Sequence, residues 1–178
     1  MTFRHAEAFF RGLLCWLAVL PIVPPAWAAS AHAVTLQGEV SAVTSGDTLW
    51  IQPSQGAPVA VRLRDVDAPE PCQPWGEQAR AALSALALHQ PAVARGGDTD
   101  RQQRQVATVR VEGIDLGPRM VEDGNAWSQR WRFDNGPLVK QERVARALGR
   151  GLHGAGITLR PAEYRRLHGA CPAASAPG

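Results

Sequence analysis

The chain has little that would bind a soft metal or cross a bilayer. Its three cysteines, Cys15, Cys72 and Cys171, lie far apart, and His32, His89, His153 and His168 are scattered without the paired spacing of a zinc site. The one extended apolar run, Gly12 to Val23, is short for a membrane-spanning helix. No segment repeats at a fixed period, which excludes solenoids and propellers. At 178 residues the chain fits one domain with a substantial core better than two.

What is present at the N-terminus has the composition of an export signal. Arg4 and Arg11 precede the apolar run, and Ala26 and Ala28 of "AWA" put small residues where a signal peptidase requires them. The expectation is a signal peptide over residues 1–28, cut near Ala28 or else after Ala33, with a retained anchor as the alternative. Cys15 lies inside the apolar run behind Leu14, which argues against lipidation. Export places the mature protein in the periplasm or outside the cell, where disulfides persist, so a Cys72–Cys171 bond is expected. Free thiols or an intermolecular bond are the other possibilities. No stable membrane association is expected after cleavage, and a monomer is expected.

Charge is divided along the chain. Residues 29–124 carry 8 basic and 12 acidic side chains, whereas residues 125–178 carry 9 and 3. A basic C-terminal part suits a polyanionic partner, although arginine-rich surfaces are also often merely solvated.

Patterning predicts five short strands and three helices. Val34–Val43 and Asp47–Gln52 flank a turn at Ser45-Gly46 and read as a hairpin, followed by Val59–Val66 with Val59, Val61 and Leu63 on one face. The period then changes. Residues 74–90 place Trp75, Ala79, Leu83 and Leu86 near one stripe behind Pro74, predicting a helix. Strands follow at Ala92–Gly97 and Val106–Gly113, then helices at Leu116–Gly124 and Pro137–Gly151. On the last helix Val144, Leu148 and Leu152 are expected to be buried, and Arg143, Arg146 and Arg150 to form a basic row. Five strands with a helix between the third and fourth predict an α+β fold: a five-stranded OB-type barrel with three helices, over residues 34–154. Residues 155–178 form a C-terminal extension in this reading, tied by Cys171 and disordered beyond it.

The densest chemistry lies in "VRLRDVDAPEPC", Val61 to Cys72. Asp47 at one strand start and Asp67 at another strand end can face each other, and two carboxylates with water and a backbone carbonyl make a hard oxygen site for Ca²⁺ or Mg²⁺. Asp47 is equally read as a turn cap. Glu70 sits between Pro69 and Pro71, a stiff loop suited to a general base. Arg62 and Arg104 offer paired donors that match phosphate oxygens. Arg64 and Arg101 read as surface charge or structural ion pairs.

These motifs resemble the secreted thermonucleases, the staphylococcal or micrococcal nuclease-like proteins. The resemblance rests on "SGDTLWI", "VRLRDVDAPE", "TDRQQR" and "LGPRMVEDGNAW" in that order, and spans roughly Gln37 to Gly154. It implies an OB-type barrel and Ca²⁺-dependent hydrolysis of DNA or RNA, with products ending in 3′-phosphate. It also implies that Asp47, Asp67 and the Ala68 carbonyl hold the metal, and that Arg62, Glu70 and Arg104 carry the catalysis. The chain departs from the family pattern at Ser45, where a carboxylate is usual, and at Gln102-Gln103, where Tyr-Gly is frequent. Ala68 stands where threonine is common. Trp131 is a candidate for base stacking, joined by Arg143, Arg146 and Arg150 in nucleic-acid binding; Trp127 is expected under the last helix. A non-catalytic barrel that binds nucleic acid or another polyanion is the competing reading, and an oligosaccharide-binding barrel has only the fold behind it.

Overall fold

A computed structural model describes residues 34–172. The expected signal segment and the tail from 173 lie outside the described residues. In chain order the elements are β1 (Val34–Ser45), β2 (Thr48–Gln52), β3 (Val59–Leu63), β4 (Val66–Asp67), α1 (Gly76–Ala87), β5 (Pro91–Thr99) and β6 (Gln105–Val111). They continue with β7 (Ile114–Asp115), α2 (Leu116–Glu122), β8 (Trp127–Ser128), α3 (Val139–Ala147), α4 (Gly151–Gly154) and α5 (Pro161–His168).

Antiparallel pairing runs β3-β2-β1-β5-β6, and β6 returns to lie parallel to β3, with Val61 opposite Gln105 and Leu63 opposite Ala107. That last pairing closes the expected five-stranded barrel. Alternation explains its interior. Leu49 and Ile51, Val61 and Leu63, and Ala107, Val109 and Val111 point inward at period two and are buried. Each fully buried Leu or Ile contributes roughly 1.5–3 kcal/mol relative to exposure. α1 covers one end of the barrel with Ala79, Leu83 and Ala87.

The β1–β2 turn contains Gly46 and Asp47, with Ser45 paired to Thr48. The turn is therefore one residue later than the pattern suggests, and Asp47 is a turn residue. A Cβ on Gly46 would lie 2.6 Å from the Cβ of Ala79 and 2.9 Å from that of Ala68. Only glycine lets this turn press against α1 and the segment after β4, which brings Asp47 close to Asp67.

Three expectations about the helices require correction. The described residues contain five helices, not three, because α4 and α5 follow α3. The expected apolar row on α3 also fails: Val144 and Leu148 are 43% and 61% exposed, and the helix buries Glu142 and Ala145. Leu152 is buried but belongs to α4, beyond Gly149 and Gly151, which both take positive φ and break the helical period. The first helix of the pattern is also shorter, beginning at Gly76 behind a left-handed Trp75 with φ 74°.

Candidate active site

Asp47, Arg62 and Asp67 meet where the hairpin turn, β3 and β4 converge. Thr48 opposes Arg62 across the β2–β3 ladder, so the side chain of Arg62 reaches the adjacent turn. Its Nε donates to Asp47 Oδ2 at 3.2 Å, and its Nη2 lies 3.9 Å from Asp67 Oδ1. Asp47 Oδ1 accepts from Ser45 Oγ and Thr48 Oγ1, both at 2.8 Å. Burial works against the charge on Arg62, but Asp47, Asp67 and Asp100 outweigh it and hold its pKa above the usual value. Burial and the neighbouring Asp47 charge push the Asp67 carboxyl up to about 6, although Arg62, Arg160 and Arg165 pull it back.

Arg104 joins this group through a hydroxyl. Its Nη1 donates to Thr48 Oγ1 at 2.8 Å, while Nε and Nη2 lie 2.8 and 2.7 Å from Asp100 Oδ2. Asp100 Oδ1 also accepts the backbone N–H groups of Gln102 and Arg104, tightening the β5–β6 loop. Gln103 takes φ 61° in that loop, occupying without glycine a conformation that glycine favours. The departure from the family pattern at this point is thus accommodated by Asp100.

Glu70 stands apart from the arginines predicted to work with it. Its carboxylate pairs with Arg165 of α5, and its backbone N–H donates to Gln73 Oε1 at 3.1 Å. Buried Gln73 in turn donates through Nε2 to the Leu159 carbonyl at 2.6 Å. Cys72 and Cys171 are bonded, and Tyr164 Oη donates to the Cys72 carbonyl at 3.0 Å.

The remaining predicted residues have different surroundings. Trp131 is 75% exposed on a turn whose neighbour Phe133 is fully exposed. Trp127 is buried, with the Arg160 guanidinium 5.5 Å from its ring centroid. Arg143 is exposed. Arg146 donates to the buried Glu142 at 2.8 Å, and Arg150 donates to the Glu122 carbonyl at 3.1 Å. Arg160 reaches Glu142 as well, at 3.0 Å. Arg64 forms a structural ion pair with Asp98 at 2.8 Å.

Thr48, Asp100, Gln73, Arg165 and Phe133 were not singled out by the sequence. The first two sit beside recognised motif residues, in "GDT" and "TDRQQR"; the others offer no local signal.

Among the described residues no three or more His, Cys, Asp or Glu side chains form a metal cluster. A site here rests on two carboxylates, with a carbonyl and water completing it, which suits a hard cation such as Ca²⁺ better than zinc. Charge supports the fit. Asp47 and Asp67 place two negative charges against Arg62, and the raised pKa of Asp67 reflects its burial first and the neighbouring Asp47 charge second, the latter of which a cation would relieve.

Comparison with known proteins bears on the family of the chain. The family described as "Staphylococcal nuclease homologue" matches residues 60–153. Among curated relatives, Protein ParB of Escherichia coli is 35% identical over 92% of this chain and 94% of its own length. An uncharacterized endonuclease of Haemophilus influenzae is 32% identical over 70% of each chain. The micrococcal nuclease of Shigella flexneri is 28% identical over 83% of this chain and 87% of its own.

Proposed function

This chain belongs to the staphylococcal nuclease homologue family, and from that premise we propose that it is an exported, Ca²⁺-dependent nuclease that hydrolyses phosphodiester bonds of DNA or RNA. The observation that carries the reading is the connected group Arg104–Thr48–Asp47–Arg62–Asp67, in which two arginines and two carboxylates are held together at the barrel mouth.

Asp47, Asp67 and the Ala68 carbonyl would hold the metal. Bound Ca²⁺ supplies charge that polarises a phosphate oxygen. Arg62 and Arg104 do the work that the protein contributes directly. Arg104 spends its Nε and one hydrogen on Asp100 and another on Thr48, which leaves two of five N–H groups for phosphate. Arg62 is anchored through Nε, and its Nη2 lies 3.9 Å from Asp67 Oδ1, beyond hydrogen-bond reach, so its outer N–H groups are left for phosphate. Guanidinium groups pre-positioned in this way stabilise the negative charge that builds on the transferred phosphorus oxygens.

Glu70 is the general base: it removes a proton from the attacking water as the water oxygen bonds to phosphorus. The bond from phosphorus to the 5′ oxygen breaks, that oxygen is protonated from solvent, and the product keeps a 3′-phosphate. Exposed Trp131 and Phe133 offer aromatic faces to bases, worth about 1–3 kcal/mol per stacked base. Arg143 and Arg146 of α3 and Arg150, which lies beyond that helix, add positive potential, with Arg143 the freest of the three. Residues 1–28 direct export to the periplasm or medium, and the mature protein acts as a monomer.

The test is an assay of the purified mature protein on single-stranded DNA and on RNA, with millimolar Ca²⁺ and with chelator. Cleavage that requires Ca²⁺ is expected. Both substrates remaining intact, beside a control nuclease that cuts them, would refute the reading.

A further inference from the structure

We propose that Arg165, carried on α5 and anchored by the Cys72–Cys171 bond, is a positioning residue that presents Glu70 to the attacking water. The inference rests on the reading of Glu70 as general base. It makes the C-terminal segment part of the active site.

Four ties join residues 159–171 to the Glu70 loop. Gln73 bridges the Glu70 N–H and the Leu159 carbonyl, Tyr164 holds the Cys72 carbonyl, the disulfide links Cys171 to Cys72, and Arg165 pairs with the Glu70 carboxylate. Two of the four converge on Glu70 itself, one at its backbone and one at its side chain. Pro69 and Pro71 stiffen the chain on either side, so the backbone position is already constrained. The carboxylate is the part that still rotates, and Arg165 takes its Oε1. Oε2 is left to accept the proton.

The packing of α5 supports a role other than filling the core. Its one buried residue is Pro161, and Leu167 is 59% exposed. A helix with so little apolar contact is held by polar bonds and the disulfide, and those bonds are directed at the loop that carries Glu70. An ion pair with a half-exposed arginine adds little to stability. Loss of Arg165 is therefore expected to appear in turnover and not in folding.

The experiment is a kinetic double-mutant cycle on the mature chain with the disulfide intact, verified by thiol titration. Parent, Arg165→Gln, Arg165→Lys, Glu70→Gln and the Arg165→Gln/Glu70→Gln double variant are compared on single-stranded DNA at saturating Ca²⁺. Arg165→Gln is expected to lower kcat about 100-fold, the scale of a misplaced catalytic group, with KM changed less than about threefold. Arg165→Lys is expected to recover most of that loss. In the Glu70→Gln background the same change should have no further effect, because Arg165 acts through Glu70. An equal loss in both backgrounds, a rise in KM alone, or an unchanged kcat overturns the proposal. If Glu70→Gln is nearly inactive while Arg165→Gln matches the parent, only the positioning role fails. If Glu70→Gln itself turns over like the parent, the general-base reading fails and takes this inference with it.

Discussion

The Thr48 hydroxyl bridges Asp47 and Arg104, donating to the carboxylate and accepting from the guanidinium, each at 2.8 Å. This single oxygen connects the carboxylate pair proposed to hold the metal to the arginine brought in from the β5–β6 loop.

Replacing Thr48 with valine keeps its shape and removes the bridge. Thr48 is buried, so Arg104 and Asp47 would each lose a partner away from bulk water. A fall in kcat of about 10- to 100-fold is expected, with a stability loss of about 1–2 kcal/mol. Thr48→Ser retains the hydroxyl and should stay near the parent in both. Steady-state kinetics and urea unfolding of the two variants check this; equal behaviour of valine and serine would contradict it.

Asp67 gives the metal-free protein a specific pH dependence. Burial and the neighbouring Asp47 charge push its carboxyl up to about 6 in the folded protein, from an ordinary value of 3.8. A carboxyl with a raised pKa disfavours the folded state when ionised. That cost is absent below about pH 4, appears as pH rises toward 6, and is complete above it. In chelator, Asp67→Asn should therefore gain stability relative to the parent between pH 4 and 8, by on the order of 3 kcal/mol. Thermal unfolding at several pH values reads the difference, and a gap that stays constant or narrows over that range would contradict it.

Gln103 is an exposed residue at φ 61°, so a glycine there removes strain without removing packing. Gln103→Gly should stabilise by about 0.5–1 kcal/mol, the left-handed penalty less the entropy glycine adds to the unfolded chain. Chemical denaturation measures this; destabilisation would show that the glutamine side chain makes a contact in solution.

The Cys72–Cys171 bond closes a separation of 99 residues. Its removal by paired serine substitutions should cost about 4–5 kcal/mol in the chain-entropy picture. A non-reducing peptide map should recover the two cysteines in one linked fragment, and separate fragments would contradict the bond.

The part of the site legible in the sequence is the part that is local. Arg62 and Asp67 lie five positions apart and Asp47 follows a glycine turn, so their meeting could be read from spacing. The barrel was legible because Leu49, Ile51, Val61 and Leu63 alternate cleanly. Arg165 was not, because 95 residues separate it from Glu70 and nothing nearby marks the pairing. Helix α5 escaped for a related reason: with only Pro161 buried it carries no apolar stripe at helical spacing. Val144 and Leu148 misled in the opposite direction, since Gly149 and Gly151 break the helix before their row reaches Leu152.

The most direct test of the account is Glu70→Gln. Turnover of single-stranded DNA at saturating Ca²⁺ should fall by about 10²- to 10⁴-fold, the usual contribution of a general base. Binding of the same oligonucleotide in chelator should stay within about threefold of the parent, since a neutral isostere leaves Arg62, Arg104 and the exposed aromatics in place. Unchanged turnover in the variant would contradict the account.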